Sequence, residues 1–174
     1  MKTIKIATRG SPLALWQSHH VRELLLLENP HLKIELVTIT TSGDKFLGRL
    51  SSIGGKGLFV KEIEECLLAQ KADLAVHSMK DLPYAEPRGL EIASILKRED
   101  PGDTLVTLQG KKISDLPLGA FVGTSSVRRR AQLLATRPDL NCKEIRGNVG
   151  TRLSKLKGNE FSALILATAG LKRL

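Results

Sequence analysis

The sequence predicts an α/β chain with mostly parallel sheets, and three observations carry that prediction. Strand-like and helix-like segments alternate through both halves of the 174 residues. The apolar run Asp73-Leu74-Ala75-Val76 reads as a buried parallel strand that ends by presenting Lys80 and Asp81, with Pro83 just beyond. Three strand-to-helix junctions carry the glycine, hydroxyl and asparagine residues that open helices.

Residues 3–8 form the first apolar strand. Ser11 is a helix N-cap with Pro12 at the first helical position, and the helix runs over 12–28 until Asn29-Pro30 stops it. Leu13, Trp16, Val21, Leu24 and Leu25 recur at helical spacing as its apolar stripe. A β-branched strand follows at 33–41, then a polar, glycine-containing loop to Gly57 and a second helix over 58–70. The turn-rich Glu99-Asp100-Pro101-Gly102-Asp103 divides the chain into a first α/β domain, 1–98, and an arginine-rich second, 99–174. In the second, strands are expected at 104–108, 120–124, 143–146 and 161–167, with helices over 126–136 and 149–157.

Charge is distributed unevenly. Residues 1–109 hold 14 basic and 14 acidic side chains, whereas 110–174 hold 13 and 4, so the whole net charge of +9 lies in the later part. That part faces an anion. Nucleic acid is the usual partner for such a bias, but aromatics make up only 3% of the chain, too few to stack single-stranded bases. Small polyanions, including multiply carboxylated ligands, fit equally well, and no nucleic-acid partner is expected. No apolar run approaches the roughly 20 residues of a membrane span, and the N-terminus lacks a signal-peptide core. Two cysteines make no disulfide framework, which places the chain in a reducing cytoplasm.

The anion-binding junctions are Arg9-Gly10-Ser11, Gly123-Thr124-Ser125-Ser126-Val127-Arg128-Arg129-Arg130 and Arg146-Gly147-Asn148-Val149-Gly150-Thr151-Arg152. Each offers free helix N–H groups beside a guanidinium, whose planar fork grips a carboxylate through two bonds. Arginines in a first turn oppose the helix dipole, and a bound carboxylate would offset that. Gly54-Gly55-Lys56-Gly57 has the wrong spacing and ending for a phosphate loop and reads as a flexible loop with a cation. His19, His20 and His77 lack metal-site spacing, so no metal is expected. Cys66 and Trp16 read as packing residues, and Cys142 stands at a strand entrance with nothing to mark it as a nucleophile.

Taken together, six ordered stretches resemble the porphobilinogen deaminase (hydroxymethylbilane synthase) family. They are Ala7-Thr8-Arg9 with Ser11-Pro12-Leu13-Ala14-Leu15-Trp16-Gln17, Gly54 to Glu62, Ala75-Val76-His77-Ser78-Met79-Lys80-Asp81, Val122 to Arg129, Arg146 to Leu153, and Ala169-Gly170-Leu171-Lys172-Arg173-Leu174. The resemblance implies two periplasmic-binding-protein-like α/β domains, the family's third α+β domain being absent. It implies a cytoplasmic transferase of tetrapyrrole (haem) biosynthesis that joins four porphobilinogen molecules, releases ammonia at each step and hydrolyses off hydroxymethylbilane. By the same resemblance the chain grows on a covalent dipyrromethane, attached through a cysteine that is not in this chain.

The resemblance also assigns residues. Asp81 and Lys80 are expected at the chemistry, and Ser78, Lys80, Asp81, Thr124, Ser126, Arg128, Arg129, Arg146 and Gly147 against the cofactor. Arg9, Ser11, Gln17, Arg146, Arg152 and Arg173 are expected against substrate carboxylates of porphobilinogen and the linear polypyrrole, with Lys56 and Phe59 on a mobile loop. Family members are longer, so this chain is expected to be an N-terminal fragment, inactive alone and completed by a separate C-terminal piece. A cofactor-free polycarboxylate-binding module is the alternative.

Overall fold

The computed structural model describes residues 3–45, 57–85 and 87–174. They belong to two compact units, Met1–Leu96 and Lys97–Leu174.

In the first unit, β1 (Thr3–Arg9) is the middle strand of a parallel sheet, flanked by β2 (Lys33–Ile39) and β3 (Leu74–Ala75). Being central, it buries Ile6, Ala7 and Thr8 completely. Helix α1 (Pro12–Glu28) has the predicted bounds, because its start is written locally: Ser11 accepts the Ala14 N–H at 3.4 Å and Pro12 fills N1. Its expected apolar stripe is only partly realised. Ser18 is its buried residue, while Trp16 and Leu24 are exposed; Trp16 stacks on His20 with ring centroids 5.2 Å apart.

Strand β2 ends two residues early, and a short helix, α2 (Ser42–Lys45), opens the segment expected to be loop. Helix α3 (Lys61–Leu68) starts later than 58, because Gly57, at φ +84°, turns the chain and its carbonyl accepts from both Val60 and Lys61. Ile63 of α3 packs with Ala7 and Ala72, and Cys66 lies against this cluster as expected.

The run 73–76 gives only a two-residue edge strand, half-buried rather than buried, since β3 pairs with β1 at Ile6 and Ala7 alone. Lys80 and Asp81 do not end that strand. They lie in a single 3-10 turn, Met79–Asp81, closed by Asp81 N–H to the Ser78 carbonyl at 2.9 Å.

The second unit has strand order β4 (Asp103–Val106), β7 (Ala163–Ala167), β5 (Phe121–Gly123), β6 (Asn141–Lys143). All pairs are parallel except β4 with β7. Alternation along β7 divides the core. Ala163 joins Val122, Leu133 and Leu140, with Ile165 against them, while Leu164 and Leu166 join Ile145, Leu156 and Phe161. Helix α4 (Val127–Thr136) supplies Leu133 to the first cluster, and α5 (Val149–Lys157) supplies Leu156 to the second, so both sheet faces are covered. Cys142 lies against the first cluster.

Both helices match their predicted cores, with Ser126 and Asn148 as N-caps. The strand expected at 143–146 is instead β6. Its ladder stops at Lys143 because Ser125 intervenes: its hydroxyl donates to the Ile145 carbonyl at 2.5 Å and accepts from the Ile145 N–H at 3.2 Å. A last helix, α6 (Thr168–Lys172), went unanticipated. Among the described residues no helix is long and apolar enough to cross a membrane.

Candidate functional site

The first unit gathers five of the predicted residues around one pocket. Arg9 comes from the end of β1, Gln17 from α1, Phe59 from the turn before α3, and Ser78 and Asp81 from the segment after β3. This is the carboxyl edge of the parallel strands, where ligands of open α/β sheets bind. Gln17 Nε2 donates to Ser78 Oγ at 3.0 Å, which ties α1 to the Asp81 segment. Ser11 is spent as the α1 cap, and Lys80 is exposed beside the pocket residues. Lys56, with Gly54 and Gly55, lies outside the described residues.

Arg9 is more constrained than its sequence context suggested. Its Nε donates to Asp44 at 3.1 and 3.3 Å, its Nη2 contacts Asp44 Oδ1, and its guanidinium lies 4.3 Å from the Phe59 ring centroid. Burial acts against an ionised Asp44, but hydrogen bonds from Arg9 and Thr41 outweigh it and hold the carboxyl below its ordinary range. Thr41, itself fully buried, donates to Asp44 Oδ2 from both N–H (3.1 Å) and Oγ1 (2.8 Å).

His77 lines the same pocket and was not among the predicted site residues. Burial holds its imidazole below the ordinary histidine range; the Asp81 charge pulls upward and the Arg9 charge pushes down. Only its position next to Ser78 could have flagged it. Among the described residues no group of three or more His, Cys, Asp or Glu stands together as a metal site.

In the second unit the predicted arginines cluster at the starts of α4 and α5. Arg128 Nη2 and Arg129 Nη2 reach Asp103 at 2.8 and 2.7 Å, and Arg129 Nη1 donates to the Ile165 carbonyl at 3.2 Å. Arg146 pairs with Glu144 at 2.7 Å. Asp103 places a carboxylate of the chain's own beside the first-turn arginines of α4, where a bound carboxylate was expected to offset the opposed dipole, and Asp44 and Glu144 pair with Arg9 and Arg146. Thr124 is buried, its Oγ1 accepting the Ser126 N–H at 3.2 Å, and Ser126 caps α4.

Arg152 differs from the rest. Its Nε donates to the Gly147 carbonyl at 2.8 Å, while burial and the nearby Arg129 charge push its guanidinium below the ordinary arginine range. Two guanidiniums thus repel each other at a half-buried place, an arrangement that favours an incoming anion. Gly147 holds φ +106° there. Arg173 caps the end of α6, its charge felt by Glu99.

Comparison with known proteins accords with this arrangement. A family model described as "Porphobilinogen deaminase, dipyromethane cofactor binding domain" matches residues 4–174. Porphobilinogen deaminases of Legionella pneumophila strains Lens and Paris are 58% and 57% identical over 99% of this chain. The chain spans 56% of the length of each. Among solved structures, the periplasmic VFT2 domain of BvgS from Bordetella pertussis aligns with a TM-score of 0.50 at 16% identity, over 98% of this chain and 68% of that one. That likeness bears on fold alone and agrees with periplasmic-binding-protein-like α/β domains. An ordered set of motifs, a sheet-edge pocket holding Arg9 and Asp81, and a family match from residue 4 to residue 174 lead to one conclusion: the chain belongs to the porphobilinogen deaminase family.

Proposed function

We propose that this chain carries the reacting carboxylate and the carboxylate-binding arginines of a porphobilinogen deaminase (hydroxymethylbilane synthase). The observation that carries the reading is the pocket in which Asp81 sits with Arg9, Gln17 and Ser78, in a chain of this family. Each pyrrole bears an acetate and a propionate, so the arginines meet a dense polycarboxylate. Arg9, Ser11, Gln17, Arg146, Arg152 and Arg173 hold substrate carboxylates in this reading, and Lys56 and Phe59 flank the site.

Loss of ammonia from porphobilinogen breaks a C–N bond and leaves a cationic azafulvene. The α-carbon of the next pyrrole then forms the C–C bond and releases its proton. The Asp81 carboxylate stabilises that cation and accepts protons at its oxygens. Ser78 and Gln17 fix its segment, and Lys80 supplies a cation beside it. Phe59 lies over the Arg9 guanidinium at the edge of the pocket, while Asp81 is open to solvent.

The donors of the second unit suit the family's dipyrromethane. Thr124, Ser126, Arg128, Arg129, Arg146 and Gly147 would meet its carboxylates, beside the crowded guanidiniums of Arg129 and Arg152. When bound, this group supplies the pyrrole from which the product grows. Neither thiol of this chain suits its attachment. Cys66 and Cys142 both pack against apolar clusters, and burial pushes the Cys142 thiol up. Attachment falls to a cysteine elsewhere, and the free thiols suit a cytoplasmic setting.

The test is porphobilinogen consumption by this chain, alone and mixed with the separately expressed portion of a Legionella pneumophila relative that it does not span. Consumption in the mixture, reduced roughly 100-fold or more by Asp81→Ala with an unchanged circular dichroism spectrum, is the expected result. Turnover by Asp81→Ala within threefold of the parent would sink the assignment.

A further inference from the structure

A guanidinium offers two edges to a carboxylate, a side edge of Nε with Nη2 and an end edge of Nη1 with Nη2. In Arg9 the side edge is closed. Nε donates to both oxygens of Asp44, at 3.1 and 3.3 Å, and Nη2 contacts Oδ1. Asp44 cannot swing aside cheaply, because Thr41 holds its Oδ2 through N–H and hydroxyl, and Thr41 is fully buried. Phe59 covers one face of the guanidinium and itself packs so closely on Gly43 that no side chain fits there. An anion in the pocket therefore meets only the end edge of Arg9, and meets it on a guanidinium whose charge is already balanced.

We propose that Asp44 is a positioning and specificity residue of this pocket, acting through Arg9. It rests on the reading of the pocket as a pyrrole-carboxylate site. By neutralising Arg9 and fixing its plane, Asp44 makes the pocket respond to hydrogen-bond direction rather than to negative charge alone. A ligand carboxylate anchored elsewhere by its own ring gains the end-on bonds of Arg9. A small free anion gains little Coulomb energy from a pair that is already neutral.

The test compares the 174-residue chain with Asp44→Asn and Thr41→Val by titration calorimetry, using porphobilinogen and, separately, acetate. The Arg9 Nε–H resonance is followed by NMR, because a bidentate carboxylate slows its exchange with water. In Asp44→Asn, porphobilinogen binding weakens at least tenfold, acetate binding strengthens, and the Arg9 Nε–H signal is lost. Thr41→Val, which loosens Asp44 without touching Arg9, moves both affinities in the same directions by a smaller factor. Porphobilinogen affinity in Asp44→Asn within twofold of the parent overturns the role of Asp44. Equal weakening of both ligands also overturns it, as a merely structural residue would do that. A parent chain that ignores porphobilinogen overturns the proposed function and this inference together.

Discussion

Replacing Gly147 by alanine tests how the second arginine site is built. Gly147 adopts φ +106°, a region closed to residues with a Cβ at a cost of about 1–3 kcal/mol. A Cβ at this position would also lie 2.6 Å from Thr151 Cγ2 and 2.7 Å from Thr151 Cβ. Thr151 has no easy way out. Its N–H and hydroxyl both donate to Asn148 Oδ1, at 2.9 and 3.0 Å, and that contact is the N-cap of α5, worth about 1 kcal/mol. Strain and lost cap together give a destabilisation of about 3 kcal/mol for Gly147→Ala. Gly150, three residues on, is the control. A Cβ there meets nothing closer than Asn148 Oδ1 at 3.5 Å, and the site is helical, so Gly150→Ala stabilises by about 0.5 kcal/mol. Urea unfolding followed by far-ultraviolet circular dichroism reads both; fluorescence of Trp16, the one tryptophan, reports on the other unit. Effects of the same sign, or a Gly147→Ala loss below about 1 kcal/mol, refute the reasoning. Arg152 follows the same geometry, since its Nε donates to the Gly147 carbonyl, so under the proposed function Gly147→Ala should also weaken carboxylate binding in this unit.

Two pH effects accompany these. His77 has a folded-state pKa below its ordinary 6.5, so the unfolded chain binds the proton more readily; the stability is complete above about 6.5 and declines as pH falls below it. NMR titration of the His77 ring should give a midpoint below 6.5, and His77→Gln should flatten that part of the profile; a midpoint at or above 6.5 contradicts the burial argument. Asp139 accepts two bonds of 2.7 Å from Arg137, which lowers its pKa from 3.8 to about 2. Its contribution is present in full above 3.8 and is lost as pH falls through about 2, so Asp139→Asn should remove that acid-limb slope in urea midpoints measured between those values. Superimposable acid limbs for parent and variant would show that the pair contributes nothing.

What could be read from the residues was what is decided within a few positions of them. Ser11-Pro12 and Asn148 open helices by satisfying N–H groups three residues away, so α1 and α5 begin and end where the sequence places them. Strand limits were less legible, because they depend on partners far along the chain. The ladder of β6 runs from Phe121 opposite Asn141 to Gly123 opposite Lys143, and Ser125 then ends it with side-chain bonds to Ile145. Likewise β3 stops after Ala75 because β1 offers it only Ile6 and Ala7, which leaves Lys80 and Asp81 to a 3-10 turn.

The site shows the same division, with a consequence for the electrostatic argument. The residues themselves marked Arg9 and Asp81, the family resemblance added Gln17, Phe59 and Ser78, and the fold brings all five to one pocket. Two of the acids that hold the arginines were invisible, for Asp44 lies 35 residues from Arg9 and Asp103 lies 26 from Arg129, whereas Glu144 is two residues from Arg146. The net charge of +9 remains after these pairs are counted, but it does not say which arginines are open to a ligand, because several site guanidiniums already have a carboxylate partner. The stronger reason is geometric. Asp44, Asp103 and Glu144 occupy the Nε edges of Arg9, Arg129 and Arg146, while Arg152, half-buried, gives its Nε to a backbone carbonyl and has Arg129 as a neighbouring like charge. Fixed guanidiniums lose little conformational entropy when a ligand arrives, so their bonds to its carboxylates are gained nearly in full. Preorganisation of this kind suits a ligand with several carboxylates on rigid rings better than a singly charged one, and the polypyrrole of the proposed function would meet that description.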